Sequence, residues 1–579
     1  MVLGKTGRVC RHQLSAPIVN WGFFFKNFMR FISLNLFIIT FCFSKNDTIL
    51  NNIHQFDIDD NVEYLVINNI GDPVVKLIPT FLSTSPIIEH NSRNTRAIDF
   101  KNHVIFNDDY STIKYENTYN EGANINAFLS KRIYNNTRLY FNYGNLSSRG
   151  FYDNQLNKFS NLVLKLVQKL NKKPYHYMLS FNSLNASYEM NGGLTDFFSG
   201  SSNELSPTYI ENGLCLVKKR QYIFKQNYNF SKIIKIIHKL DFISFKRNFE
   251  DNYPSSFYYS LTPYDYAITN YSLQTLYDRI YNSFSLKYKE SKISISQLSY
   301  FTNDLNSNKI KGDVYVSFQN NNFLTDNLSL NTTIFTNGYN KRNFIYFVGY
   351  KKITDKLSYD FEINYVKKKP NFFAYHYYNG NPSSWDNLNI SSLFSTNVFL
   401  SNINDNFSSG LYYASAENFT FYDELASISQ IENKINYFKI NIKKNLIFKN
   451  FKVENNLIYQ NIDNNQISIP NFVFTQKFTF QKKIINNYLL KLSVNGLLLS
   501  RYYPDSFFPL TDVFYQQRDI KSSKSPFISG DVFITRSNFS IGFSFDHLNT
   551  FIEKNSFLTP LYIYPNPVAR VVIKITFFD

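Results

Sequence analysis

From about residue 100 to the C-terminal end, the dominant repeat along the chain is two. In Leu357-Ser358-Tyr359-Asp360-Phe361-Glu362-Ile363-Asn364-Tyr365 every odd position is apolar or aromatic and every even one polar, as in a strand with one greasy and one wet face. The same alternation sets Phe284, Leu286 and Tyr288 against Ser283, Ser285, Lys287 and Lys289, and Phe539, Ile541, Phe543 and Phe545 against Ser540, Gly542, Ser544 and Asp546. Shorter copies include Phe438-Ile440-Ile442 and Tyr488-Leu490-Leu492-Val494. No long stretch follows a helical period. Asn-Gly pairs occur at Asn191-Gly192, Asn212-Gly213, Asn337-Gly338, Asn379-Gly380 and Asn495-Gly496; this pair suits tight hairpins because both central residues take positive φ. The last of them falls inside an apolar run and reads equally as a strand irregularity. The pattern predicts a meander of antiparallel hairpins.

Which solvent touches the greasy face decides the fold class. Sandwich strands are usually about 5 or 6 residues long, whereas several runs here keep their alternation for about nine or more, the length a tilted strand needs to cross a hydrocarbon layer. The apolar positions are rich in Phe and Tyr, as in a lipid-facing band. The opposite face carries too many Lys, Asp and Glu for a buried core, but suits a water-filled lumen. Closure into a cylinder removes the unpaired edges that lipid would penalise. We therefore expect an all-β chain whose residues 101–579 form a single transmembrane antiparallel up-and-down β-barrel. At roughly 25 to 30 residues per strand and connection, about 16–18 strands follow, within the even-numbered bacterial range.

Composition narrows the alternatives. The 579 residues include 59 Phe and 44 Tyr but only 19 Gly and 3 Cys, which excludes collagen-like, disulfide-stapled and disordered classes. Mean hydropathy is -0.29, too low for a polytopic helical membrane protein. Lys and Arg outnumber Asp and Glu 61 to 44, a net charge of +17. Such a balance usually suggests nucleic acid, but here the charges are dispersed along alternating strands, and no nucleic-acid partner is expected.

The first 44 residues read as an N-terminal extension plus a signal peptide, with an apolar h-region at Phe31–Phe43 preceded by Met29-Arg30. That run is too short to span a bilayer as a helix, which needs about 20 residues, but suits a secretory signal. Met29 is an alternative start. Cleavage would remove Cys10 and Cys42 and leave Cys215 without an internal disulfide partner. Residues 45–100 lack sustained alternation and are expected to form a periplasmic arm or a plug-like segment. Within them Asp57-Ile58-Asp59-Asp60 lacks the Gly and distal Glu of a calcium loop. The histidines beyond the first 44 residues (His54, His90, His103, His176, His238, His376, His547) show no paired-ligand spacing, and no G-x-S-x-G elbow occurs. No metal, cofactor or enzymatic activity is expected.

The C-terminal stretch alternates Val571, Ile573, Ile575 and Phe577 against a mostly polar face and ends at Phe577-Phe578-Asp579. With Ser525-Pro526-Phe527, Asp531-Val532-Phe533, Phe545-Asp546-His547-Leu548-Asn549, Thr559-Pro560-Leu561-Tyr562, Tyr564-Pro565-Asn566-Pro567 and Arg570, it resembles the β-barrel porin family of Bacteroidota. Upstream, Tyr140-Phe141-Asn142-Tyr143, Ser148-Arg149-Gly150 and Asn191-Gly192-Gly193-Leu194 resemble the same family's early strands. The resemblance implies an outer-membrane barrel of channel function. Val571, Ile573, Ile575, Phe577 and Phe578 look like the terminal strand that barrel assembly machinery recognises. The expected activity is passive diffusion of small hydrophilic solutes through an aqueous channel, with lumen size and charge setting selectivity. Candidate lumen-facing residues are Lys287, Lys289, Lys356, Lys439, Lys443, Lys491 and Lys574, opposed by Asp360, Glu362 and Asp546. A substrate-specific outer-membrane transporter or receptor, and a structural barrel without transport, are the alternatives. Outer-membrane lipid is an expected partner, and homo-oligomerisation is left open.

Overall fold

The computed structural model describes residues 64–79, 81, 109–134, 136–169, 174–197, 205–252, 256–259, 271–304, 307–370, 388–402, 406–485 and 487–578. The signal peptide, Met29, the Asp57-Ile58-Asp59-Asp60 patch, and Asn379-Gly380 lie outside them. A closed antiparallel barrel of 22 strands forms the wall. It begins at Tyr110–Asn117 and ends at Val568–Phe578, and these two strands pair with each other from Val572↔Glu116 to Phe578↔Tyr110. The expected 16–18 strands are thus too few. The reason is turn length: ten connections at the end where the wall starts and finishes run two to seven residues, and the hairpins at Lys289-Glu290, Lys449-Asn450 and Ser537-Asn538 use only two. Spread over 22 strands, Tyr110–Phe578 allows about 21 residues per strand and connection. The eleven connections at the other end include stretches of up to 27 residues, as at 500–526. Short turns mark the periplasmic end of such barrels and long loops the outer end.

The two faces invert the soluble pattern. Along Phe539–Asp546 the residues Phe539, Ile541 and Phe543 are exposed, and Ser540, Gly542, Ser544 and Asp546 are buried. Phe284, Ile295 and Phe543 are 55%, 60% and 49% exposed, whereas their neighbours Ser283, Ser285, Ser294, Ser296 and Ser544 are buried. Apolar side chains therefore point away from the protein and polar ones into it. That arrangement is stable only where hydrocarbon surrounds the wall. Replacing Ile295 with arginine is accordingly expected to destabilise the folded barrel by about 2–4 kcal/mol if the site lies near the bilayer midplane. The fall in the temperature at which heat-modifiable gel mobility is lost measures it; an unchanged transition would mean that the outward face does not meet lipid.

Asn495-Gly496 lies within the strand Tyr488–Leu499 and makes no turn. Asn337-Gly338 closes the strand Leu328–Gly338 with φ 103° at the glycine.

Candidate functional site

The lumen is crossed at its outer end by the N-terminal segment. Tyr64–Val66 and Val74–Lys76 form a small hairpin whose tip is held by the inner wall. Asn69 Nδ2 donates to the carbonyls of Ser148 (3.1 Å) and Gln155 (2.8 Å). Ser148 Oγ donates to Asn69 Oδ1 at 2.6 Å, and Asn157 Nδ2 donates to Ile70 O and Asp72 Oδ1. Ser148 and Asn157 belong to the third and fourth strands, Thr137–Ser148 and Asn157–Lys169. The same segment reaches the far wall: Gln460 Nε2 donates to Leu77 O at 2.8 Å, and Phe81 packs its ring on Phe419 and Tyr437 at 5.5 and 5.3 Å. Tyr437 and Gln460 belong to the sixteenth and seventeenth strands, Ile435–Phe448 and Phe451–Ile462, nearly opposite on a ring of 22. Residues 66–79 and 81 are thus part of a strap across the barrel. They are held by side-chain amides because a buried backbone segment must find partners for its own polar groups.

Long loops fold inward beside the strap. The guanidinium of Arg247, fully buried on Ile234–Asp251, donates to Leu510 O at 2.8 Å and Pro509 O at 3.2 Å, pinning loop 500–526. Ile67, Leu77, Phe507, Phe508, Leu510, Leu558 and Ile563 join one apolar cluster with Tyr258 and Tyr564. The Asn191-Gly192-Gly193 turn docks loop 547–567 through Leu194 N–H on Leu561 O at 2.9 Å. Gly193 has φ 87°, and a Cβ there would lie 2.5 Å from Leu561 Cβ, so only glycine allows the approach.

A buried ion cluster locks the seam where the first and last strands meet. Arg570 binds Glu116 through Nη1 and Asp546 through Nε and Nη2 at 2.8 and 2.7 Å, all three side chains fully buried. Tyr119 donates its hydroxyl to Asp546 Oδ2 at 3.1 Å. His547, first residue of the adjoining loop, stacks on Tyr564 with ring centroids 4.9 Å apart, and Tyr564 donates to Val66 O at 3.0 Å. The seam, the loop and the strap are therefore one contiguous unit.

Burial pushes the His547 imidazole down from 6.5 to about 4; Asp546 opposes the shift and Arg570 adds to it. The folded state keeps the ring neutral while the unfolded chain takes up a proton below about 6.5, so the unfolded state binds more protons in that window. Stability is intact above pH 6.5 and falls as pH drops from 6.5 to about 4, by on the order of 3 kcal/mol in total. Melting of the detergent-solubilised chain across that range checks it. His547→Asn is expected to flatten the slope, and an identical slope in the variant would remove His547 as its cause.

The residues expected from alternation to face the lumen are distributed as follows. Lys287, Asp360, Glu362, Lys439, Lys443, Lys491, Asp546 and Lys574 stand on the inward face of their strands. Lys289 and Lys356 lie in short turns, Lys289 with φ 51°. Alternation carried one residue past a strand end does not place a side chain in the wall. Asp546 faces inward but is sealed beneath loop 547–567 and serves Arg570. Val571, Ile573, Ile575 and Phe577 form the outward side of the last strand, whose backbone runs on to Phe578. Arg247 and Glu116 escaped the sequence reading, and so did the contacts that hold the strap. The inward position of Glu116 follows from its alternation with Thr112 and Lys114, whereas Arg247 shares its face with Ile243, Phe245 and Phe249 and reads from alternation as greasy; in neither case do the distant partners follow. The described part of the segment read as a periplasmic arm or plug, residues 64–79 and 81, lies inside the barrel.

Comparison with known proteins fits this architecture. A family described as "Putative porin" matches residues 40–579. The chain belongs to that porin family. Among curated proteins there is no match. Similar solved structures include the iron transporter FrpB from Neisseria meningitidis, with TM-score 0.58, 9% identity and 82% of each chain covered. The siderophore receptor PirA from Acinetobacter baumannii matches with TM-score 0.56, 11% identity, 82% of this chain and 81% of that one. The copper transporter OprC gives TM-score 0.56, 10% identity, 81% of this chain and 80% of that one. At such identities the likeness concerns the fold. Fold and family together place this porin-family barrel in an outer membrane.

Proposed function

We propose that this porin-family chain is a substrate-selective outer-membrane transporter whose lumen is gated at the outer end, and not a permanently open pore. The observation that carries the reading is the strap: residues 66–79 and 81 reach nearly opposite walls, tied by Asn69, Asn157 and Gln460, with loop 500–526 pinned beside them by Arg247. A solute entering from the loop end must displace them. The solved receptors and transporters of similar fold support the reading at the level of architecture. Passive diffusion keeps one argument: toward the short-turn end, lumen-facing Lys239 and Lys452 are 36% and 42% exposed, so that half of the barrel holds water.

Swelling of liposomes loaded with the purified full chain, tested with sugars of graded size, separates the two. The gated reading expects little uptake of any non-cognate sugar. Brisk uptake that declines smoothly with size would defeat it and favour the passive channel. We also take the last strand to be the segment that assembly machinery engages, and lipid to cover the outward face.

A further inference from the structure

We propose that the lumen carries a binding site for multivalent anions of the polyphosphate or phosphate-ester class, formed by Lys165, Lys225, Lys239 and Lys292 below the strap. The inference rests on the reading of the lumen as a water-filled path, and it adds the class of solute. All four lysines occupy inward positions. Lys225 and Lys239 are direct partners across Leu214–Asn229 and Ile234–Asp251. Lys165 is in register with Ser180 on the next strand, and Lys292 with Lys287. Lys225 is within electrostatic reach of Lys165, Lys239 and Lys292, so four ammonium groups share one arc of wall.

What distinguishes this arc is its shortage of counter-charge. Several lumen lysines elsewhere have carboxylates at hand: Lys452 pairs with Glu454 at 2.7 Å and Lys114 with Glu116 at 3.3 Å, while Lys491 lies near Asp531 and Glu454 as well as near Lys477 and Lys452. On the arc Asp241 serves Lys239 at 3.4 Å and Arg279 at 3.3 Å, its other oxygen accepting from Gln221, and Glu290 in the turn below serves Lys287 at 3.8 Å. Among the described residues no ion pair reaches Lys165, Lys225 or Lys292. The rings of Tyr140 and Tyr281 lie 5.6 and 5.3 Å from the Lys165 and Lys239 ammonium groups, a contact that orients charge without neutralising it.

Same-sign charge along a wall backed by lipid focuses its field into the lumen. Lysine presents each charge as a compact point with three donors, suited to non-bridging phosphate oxygens. A single small anion can neutralise one or two of these groups; a chain of linked phosphates can meet all four at once. The opposite wall, where Lys439 and Lys443 stand, serves as the internal control.

Isothermal titration of the detergent-solubilised full chain with inorganic tripolyphosphate, and separately with orthophosphate, tests the site without requiring conduction. Saturable binding of tripolyphosphate is expected to be about tenfold or more tighter than that of orthophosphate, to weaken about tenfold or more in Lys225→Gln/Lys239→Gln, and to persist in Lys439→Gln/Lys443→Gln. Heat-modifiable mobility verifies that each variant is folded, and Lys225→Arg/Lys239→Arg, which keeps the charge, is expected to bind as the native chain does. Absence of binding by the native chain, equal affinity for the two phosphates, or equal losses in the two glutamine pairs would overturn the proposal. Binding is read without transport, so a barrel that swells liposomes freely can still show this site, and a gated one can lack it.

Discussion

Replacing Arg570 with methionine is expected to lower barrel stability by about 3–5 kcal/mol, the usual cost of removing one partner from a buried ion pair. The guanidinium lies between Glu116 and Asp546 with no side-chain exposure in any of the three. Without it two carboxylates face each other in a buried site, where Asp546 keeps the Tyr119 hydroxyl while Lys114 and Asn124 stay beside Glu116. The damage falls where the wall can least absorb it, since Arg570 and Glu116 sit on the last and first strands and chain connectivity does not hold that seam. The variant should lose its folded gel mobility at a markedly lower temperature. Arg570→Met combined with Glu116→Leu and Asp546→Leu should recover much of the loss, because removing all three charges also removes their desolvation penalty. Equal stability of the single variant and the native chain would mean that the cluster does not bear on closure.

The wall was legible because many strands state their two faces in their own residues. Leu357–Lys368 or Phe539–Asp546 needs no partner to show which side is greasy. The strand number was less legible, for a local reason. The two-residue hairpins are turned by Lys289, Lys449 and Ser537 at φ 51°, 46° and 38°, none of them in an Asn-Gly pair, while Asn495-Gly496 is such a pair and makes no turn. A count that allows roughly 25 to 30 residues per strand and connection therefore falls short, because hairpins this tight bring the share to about 21.

How the strap is held was illegible for a different reason. The strap contributes Ile67, Ile70, Val74, Val75 and Leu77, too few and too irregular to follow either period, and its stabilising bonds run to Ser148, Asn157 and Gln460, between about 80 and 390 residues away in sequence. Alternation identifies Asn157 and Gln460 as inward. It does not tell whether water, solute or another part of the chain satisfies them. The same ambiguity explains why Asp546, read from sequence as facing the lumen, belongs to a sealed ion cluster, whereas Lys239 meets water.

Arg247 allows the gate to be tested apart from the wall. Its two hydrogen bonds to Leu510 O and Pro509 O each involve a charged donor, and such bonds contribute about 1.5–3 kcal/mol each. Arg247→Met keeps the bulk of the side chain and removes both, so the undocked population of loop 500–526 should rise on the order of a hundredfold or more. Strand pairing of Ile234–Asp251 with both neighbours is backbone-mediated, and the barrel itself should remain closed and normally heat-modifiable. Two readouts follow: faster cleavage of loop 500–526 by protease added to intact cells, and larger single-channel conductance in planar bilayers. Lys246→Met, one residue away on the outward face, should change neither. If Arg247→Met cleaves and conducts as the native chain does, the inward loop is not what closes the lumen, and the strap alone, held by Asn69, Asn157 and Gln460, would have to account for the gate.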